Sequence, residues 1–411
     1  MFEWSEQHKQ IRGMIRRFVQ TSIVPHRDAL EFGEMPPYDI LRKLLRSFGA
    51  DEMALAQFQA DIAREKSGAA PRDRKPRAEF SSGAADAAAM RVLPILEISR
   101  HSPGMITALG VSVGLTSTAI MKKGTLAQKE AFVPPLLTLE KVGAWAITEP
   151  GSGSDAFGAM RSTARRDGDF YVLNGNKTFI TNGPYADTIV FICKLDDGRP
   201  LGEGEERKVV TFVLDGDTPG LVRSKPLRKM GLHASPTGEL FLTDVRVPKD
   251  RLLGEDEDAP SREGAKDTFT NERTAVAAMA LGIVERCVEL CTEYAKTRVQ
   301  FGRPIGEFQL IQLKLAKMAV ARMNIQNLVF RQIELAGWGR SMDIAEASSC
   351  KLYCAQATME VCLEAVQLFG GNGYMAEYQV EQLCRDAKVL QIYGGTDEIQ
   401  ISQIARTMMA G

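Results

Sequence analysis

The sequence predicts an α+β protein in which an N-terminal α-helical domain and a C-terminal helical domain flank a middle antiparallel β domain. Three observations carry that prediction. Apolar residues recur at helical spacing from Trp4 to about Val142. From Gly143 to about Gly254 they give way to β-branched and aromatic runs cut by Gly, Asp, Asn and Pro. Long helical patterns then return from about Thr268 to Arg406. The boundaries drawn from these changes are 1–142, 143–255 and 256–411, which suits a chain of 411 residues at about 150 residues per domain.

In the first region, Ile11, Met14, Ile15, Phe18 and Val19 share one helix face, as do Ile40, Leu41, Leu44 and Leu45. The opening MFEWSEQHKQIRGMIRRFVQ is Arg-rich and amphipathic like a transit peptide, but Glu3 and Glu6 favour a folded first helix. Met105 to Met121 is the longest run of mainly apolar and small residues, and Thr107, Ser112, Thr116, Ser117 and Thr118 argue against a membrane span. Between Ala63 and Gly83 the chain is rich in Pro, Gly and charge and reads as a surface loop, with a basic docking patch as the alternative.

The middle region contains FYVLNG, KTFITNG, DTIVFICKL, KVVTFVLDG and GELFLTDVRVP, each bounded by turn residues. An acidic linker, GEDEDAPSREG, leads into the last helices, which break at FGRPIGEF, AGWGRSMD and FGGNGYMAEY.

Composition narrows the function. Hydrophobic residues make up 44% and charged residues 25%, an ordinary globular mixture with enough apolar surface for a core. With 51 Lys and Arg against 52 Asp and Glu, there is no global field to hold nucleic acid or an anionic membrane. Seven cysteines fit a reducing compartment, so a cytoplasmic location with free thiols is expected. Cys287/Cys291 and Cys350/Cys354 are spaced four apart and in principle share a soft metal, but no CxxC and no nearby His support one; core thiols are the preferred reading.

No GxGxxG opens a helix after a strand, and GNKT at 175–178 lacks the rest of a P-loop. GVSVG at 110–114 satisfies GxSxG and makes Ser112 a formal serine nucleophile, with only His8, His26, His101 and His233 to serve as base; its helical context argues against an esterase. Two segments have the equipment to cradle a planar ring joined to a pyrophosphate. Trp145–Asp155 supplies an aromatic ring, hydroxyls and exposed glycine N–H groups. Lys177–Gly183 supplies a stacking ring in Phe179 and a hydroxyl in Thr181.

Together these segments resemble the acyl-CoA dehydrogenase family of flavoproteins, nearly end to end. AITEPGSGSD and KTFITNG are similar to its two flavin-contact motifs, KPLRKMGLHASPTGELFLTDVRVP to the end of its β domain, RVQFGRPIGEFQ to its inter-subunit FAD motif, and LFGGNGYMAEYQVEQLCRDAKVLQIYGGTDEIQ to its C-terminal signature. The resemblance implies a C-terminal four-helix bundle and FAD as cofactor. It implies that Trp145, Ile147, Thr148, Gly153, Ser154, Phe179 and Thr181 surround the flavin and its pyrophosphate. It further implies that Arg298, Phe301 and Gln309 reach FAD across a dimer interface, with Gln367, Gly371, Thr396 and Glu398 completing the site.

The implied reaction is α,β-dehydrogenation of an acyl thioester, which needs one carboxylate to remove the α-proton. Many members carry it as Glu after the Tyr of an IYEGT motif, but here the motif reads Ile392-Tyr393-Gly394-Gly395-Thr396. A subset that includes long-chain types carries it instead on a C-terminal-domain helix, directly before an Arg. Asn271-Glu272-Arg273 matches that pattern, so Glu272 is the expected base, near the start of the helical run from Thr268. The resemblance gives the Gly394 N–H the role of polarising the thioester oxygen, and puts Ser154, Arg273, Tyr393 and Gly395 on the substrate side.

A straight, medium-to-long acyl chain is expected, with Arg72, Arg74, Lys75 and Arg77 as an extra surface loop or a contact to CoA phosphates or a carrier-protein thioester. Thr270 and Ile401 stand where many members have an acidic residue and an Arg. A homotetramer built as a dimer of dimers, and an electron-transferring flavoprotein as acceptor, follow from the family alone. The alternatives are an acyl-CoA oxidase using O₂ and a non-catalytic flavin-binding scaffold.

Overall fold

The computed structural model describes residues 2–32, 35–68, 77–199, 205–258 and 261–410, with the side chains of 261–272 and 274 outside the description. Arg72, Arg74 and Lys75 of the expected surface loop, and the side chains of Thr270, Asn271 and Glu272, therefore lie outside the described residues.

The N-terminal region contains α1 (Glu6–Ser22), α2 (Arg27–Glu31), α3 (Tyr38–Ser47), α4 (Ala50–Lys66), α5 (Ser82–Ser99), α6 (Pro103–Leu109), α7 (Ser117–Lys123) and α8 (Leu126–Leu137). Helix α1 opens with a capping box: Ser5 Oγ accepts from His8 N–H while His8 Nδ1 accepts from Ser5 N–H, both at 3.2 Å. Ile15 and Val19 bury its apolar face, so the opening segment is a packed helix. The expected loop from Ala63 to Gly83 is narrower at both ends, because α4 runs to Lys66 and α5 starts at Ser82. Its described end, 77–81, is tied to the C-terminal region: Arg77 and Ser81 N–H donate to the Trp338 and Gly337 carbonyls, and Phe80 packs edge-on against Trp338.

Between α6 and α7 the helix widens into a π-helical stretch, Gly110–Thr116. The whole of Pro103–Lys123 is long and apolar enough to cross a membrane by composition, yet Met105, Ala108, Ser112, Thr116 and Ile120 are buried against the rest of the fold.

The middle region holds β1 (Gly143–Ala146), β2 (Thr163–Asp167), β3 (Phe170–Thr181), β4 (Thr188–Asp196), β5 (Val209–Asp215), β6 (Leu221–Arg223) and β7 (Thr237–Pro248). Most pairings are antiparallel, as the alternating pattern predicts, but β4 runs parallel to both β1 and β2. These two strands share one edge of β4: β1 pairs as far as Ala146 with Phe191, and β2 resumes at Thr163 with Lys194. The chain between them, 147–162, leaves the sheet and returns to the same edge, so the first of the two cradling segments stands out from it. Sequence pattern could not reveal this, since both faces of β4 are buried and its residues read as a continuous apolar run. Phe191 and Cys193 join the core between β3, β5 and β7, whereas Val190 and Ile192 pack toward α4, α7 and α8.

The C-terminal region comprises α9 (Ser261–Thr297), the short hairpin β8 (Val299–Gln300) and β9 (Arg303–Pro304), α10 (Gln309–Gly337), α11 (Ile344–Phe369), α12 (Gln379–Lys388) and α13 (Asp397–Ala410). Its core also takes in the N-terminal helices: Val19 of α1 and Leu93 and Leu96 of α5 join Leu281, Ile325, Val329, Cys354 and Leu383 in one buried cluster. The α5–α9 crossing is close enough to demand Gly282, whose added Cβ would lie 2.2 Å from the Leu96 carbonyl oxygen. The cysteines of this region pack in the same core, with Cys287 and Cys362 Sγ 3.7 Å apart and all seven of the chain free. Among the described residues no group of three metal-ligating side chains forms.

One expectation changes in detail. Glu272 is not at the start of its helix, because α9 begins at Ser261, about three turns earlier. The helix-start stabilisation of an acid, which acts within the first turn, does not explain that position.

Candidate active site

The two cradling segments, remote in sequence pattern, are joined by three contacts. Thr178 N–H donates to the Thr148 carbonyl at 2.9 Å. Lys177 Nζ donates to Glu149 Oε1 at 2.8 Å and to the Ile147 carbonyl at 3.1 Å. Glu149 then accepts from the Ser162 N–H at 2.9 Å and the Arg161 N–H at 2.6 Å, where the excursion rejoins the sheet. Lys177 is 0% and Glu149 5% exposed, so this ion pair is fully internal. Burial pushes the Glu149 carboxyl up, but the Lys177 charge and the donated hydrogen bonds outweigh it and hold it below the usual range. A buried pair survives desolvation only with further hydrogen bonds, and here both Glu149 oxygens accept backbone N–H groups while Lys177 adds the Ile147 carbonyl. Both residues lie within the quoted motifs, but nothing local in the sequence signals that they meet.

The pair fixes a cradle whose exposed parts are the expected ones. Gly153 and Ser154 are exposed at the crest of the excursion, Trp145, Thr148 and Thr181 are half-buried, and Ile147 is buried beneath. In β3 the register slips between Lys177 and Ile180, and at that bulge Phe179 takes φ 56° and leaves its ring 69% exposed. A bulge that re-aims a side chain at the expense of a left-handed backbone is typical of functional positions.

Asn182 anchors this cradle to the N-terminal helices. At φ 65° and fully buried, it donates from Nδ2 to the Ala108 and Gly143 carbonyls, both at 2.9 Å, and accepts from the Tyr38 hydroxyl at 3.0 Å. One amide thus binds α3, α6 and β1. Ser112 plays a related part: its buried Oγ accepts from the Gly143 N–H at 2.9 Å, inside the π-helical stretch. It occupies no strand-to-helix turn, which removes the nucleophile reading.

The IYGGT segment lies against α9 through Tyr393, whose hydroxyl contacts Met279 Sδ at 3.4 Å. Gly394 and Gly395 follow with φ of 61° and 88°, and Thr396 Oγ1 accepts from Ile399 N–H at the start of α13, where Glu398 is exposed. Arg273 is buried on α9.

The remaining predicted residues form a second group. Arg298, Phe301 and Gln309 are exposed at the hairpin between α9 and α10, with Phe301 93% exposed at φ 51°. Gln367 in the last turn of α11 and Gly371 just past its end, both exposed, lie beside the same hairpin, since Phe369 stacks on Tyr294 and Asn372 Nδ2 donates to the Tyr294 hydroxyl. Arg77 stands at the other end of α10, about 40 Å of helix away from Gln309 at 1.5 Å per residue.

A flavin dinucleotide needs an aromatic face, hydroxyls at a ring edge, glycine N–H groups and a guanidinium for its diphosphate. The residues present fit that group: Phe179 and Trp145, Thr148 and Thr181, the open crest at Gly153, and the exposed Arg298.

Comparison with known proteins agrees. Residues 144–245 match the family model for the acyl-CoA dehydrogenase middle domain and 263–409 that for the C-terminal domain. The chain therefore belongs to the acyl-CoA dehydrogenase family of oxidoreductases, and its cofactor is FAD. It is 35% identical over 409 residues to a 3-(aryl)acrylate reductase of Clostridium sporogenes and, again 35% over 409, to an acyl-CoA dehydrogenase of Bacillus subtilis, covering 99% of this chain and of each relative. Among solved structures, an acyl-CoA dehydrogenase complexed with FAD from Bacillus anthracis superposes with a TM-score of 0.78 at 29% identity, over 99% of this chain and 68% of that one.

Proposed function

We propose that this protein converts an acyl-CoA thioester to the trans-2-enoyl thioester, with Glu272 as the base that removes the α-proton. The observation that carries the assignment is the backbone at Gly394. Its φ of 61° is a conformation in which a side chain costs about 1–2 kcal/mol, so the loop that bears the base in many relatives is built here for glycine. The required carboxylate must come from elsewhere. Helical register supports α9 as its source: position 272 precedes Met279 by two turns, on the stripe of the helix that meets Tyr393.

Bound FAD supplies the acceptor for the β-hydride. The chain's own residues do the rest. Phe179, Trp145, Thr148 and Thr181 orient the ring, and Ser154 and Tyr393 flank the acyl thioester. The Gly394 N–H donates to the thioester oxygen, stabilising the charge that develops there as the α-proton leaves. Glu272 accepts that proton, and closure over an apolar acyl chain raises its basicity by desolvating the carboxylate.

A straight, medium-to-long acyl chain, as in the long-chain subgroup, is the substrate class in keeping with Tyr393 and the Glu272-Arg273 pair. The working form is a homo-oligomer in which Arg298, Phe301 and Gln309 reach a neighbour's FAD; exposure of Phe301 and of Leu310 and Leu313 on α10 supports a covered face there. The protein acts in the cytoplasm and passes electrons to an electron-transferring flavoprotein. The test is anaerobic addition of acyl-CoA thioesters of graded chain length to the yellow holoenzyme. Bleaching by medium or long chains is expected, and a flavin that no acyl-CoA bleaches would leave only a binding scaffold. Slow reoxidation in air separates a dehydrogenase from an oxidase.

A further inference from the structure

We propose that Lys351 and Gln400 are positioning residues that hold the Gly394–Gly395 turn in the one conformation able to polarise the thioester carbonyl. The inference rests on the role given above to the Gly394 N–H and extends it to the groups behind the loop.

Lys351 on α11 and Gln400 on α13 are both 0% exposed. Lys351 Nζ donates to the Gly395 carbonyl at 2.8 Å, with Asp397 Oδ1 at 3.5 Å. Gln400 Nε2 donates to the Gly394 carbonyl at 3.0 Å and the Gly395 carbonyl at 2.9 Å. Asp397 is itself held by Gln356 and Gln391 through its other oxygen, at 3.2 and 3.1 Å. The turn is closed down on this set: a Cβ on Gly395 would lie 2.7 Å from Gln400 Nε2.

The arrangement sorts the turn's polar groups by side. Both glycine carbonyls are captured from the protein interior, whereas the N–H groups of Gly394 and Gly395 have no acceptor among the described residues. Because the peptide is planar and trans, holding the Gly394 oxygen points the Gly395 N–H the opposite way and restrains the Gly394 ψ, so that only the Gly394 φ separates its own N–H from a held peptide plane. Two adjacent glycines have the most backbone freedom to lose, so free donors here need an external restraint to stay preorganised. Gln400 carries a cost for supplying it: its Oε1 is buried with no partner among the described residues, which a residue kept only for packing has no reason to bear.

The experiment compares holoenzymes of the parent chain, Gln400→Met, Lys351→Met and Lys351→Arg. It reads FAD absorbance, kcat and KM with the best acyl-CoA, and the infrared carbonyl stretch of a carbonyl-labelled, thia-substituted acyl-CoA that the flavin does not oxidise. In the parent chain the stretch is expected to fall on binding. In Gln400→Met and Lys351→Met it should move back toward the free value, with kcat down about ten- to a hundredfold, KM changed less than about threefold, and FAD retained. Lys351→Arg should recover part of both. If Gln400→Met does not retain FAD, Gln400→Asn, which keeps the amide one methylene short, is expected to show the same carbonyl shift. Variants with the parent's shift and kcat would overturn the positioning role alone. No shift in the parent chain would instead overturn the Gly394 role, and the positioning role with it.

Discussion

Lys177 and Glu149 form an internal ion pair, 2.8 Å from Nζ to Oε1, that ties the β3 bulge to the excursion between β1 and β2. The two segments whose residues fit a flavin are joined across this bond. Removing one partner leaves the other charge buried, which costs about 3–5 kcal/mol. Lys177→Met is therefore expected to lower the Tm of the apoprotein and weaken FAD retention together. The double variant Lys177→Met/Glu149→Gln should be less destabilised than the sum of the single ones, measured by urea unfolding.

Glu272→Gln is expected to keep the flavin spectrum and lose turnover by orders of magnitude; a near-normal rate refutes the base assignment. Adding Gly394→Glu to that variant should return only part of the activity. The new carboxylate must adopt a left-handed backbone at about 1–2 kcal/mol, and a matching drop in stability should accompany any recovery.

Asn182→Ala removes the shared partner of Tyr38, Ala108 and Gly143. Leaving buried groups unsatisfied costs about 1–3 kcal/mol each, and the loss also frees α3 from the sheet. Differential scanning calorimetry should show a fall of several degrees, and Asn182→Asp should fall at least as far, because it buries an unpaired carboxylate against the Ala108 and Gly143 carbonyls.

His101 gives an acid limit. Burial and the charges of Arg286 and Arg100 depress its imidazole to about 3, and it is enclosed by Gln20, Gln379 and the Arg100 side of α5. A histidine with a lowered folded pKa stays neutral in the fold but takes up a proton when unfolded, so its contribution is complete above its ordinary value of about 6.5. It is lost progressively as pH falls from there toward 3. The loss is about 1.4 kcal/mol per pH unit, or roughly 2 kcal/mol by pH 5. Urea titrations at pH 7 and pH 5 should show that decline, and His101→Gln should show less of it.

The order of helices, strands and helices was legible in the residues because it rests on local periodicity. The glycines, hydroxyls and rings of Trp145–Asp155 and Lys177–Gly183 were also legible, because they sit side by side in the chain. Other features were hidden for one shared reason. Lys177 with Glu149, Asn182 with Tyr38, and Lys351 and Gln400 with the glycine turn are partners set by how elements pack, and a polar residue in a strand or helix looks the same before its partner is known. The parallel β1–β4–β2 edge was masked by a strand apolar on both faces, and the true start of α9 by a polar first three turns.

By itself, then, the chain determined which segments are helical or extended, that no single charge dominates, and which stretches bring glycines, hydroxyls and aromatic rings together, since those properties arise among near neighbours. Only the tertiary structure decided that the 147–162 excursion and the β3 bulge share one buried ion pair, that Ser112 serves a backbone amide, and that Lys351 and Gln400 hold the carbonyls of the Gly394–Gly395 turn from the interior. Those outcomes depend on which surfaces exclude water from one another, and that is set when the layers close.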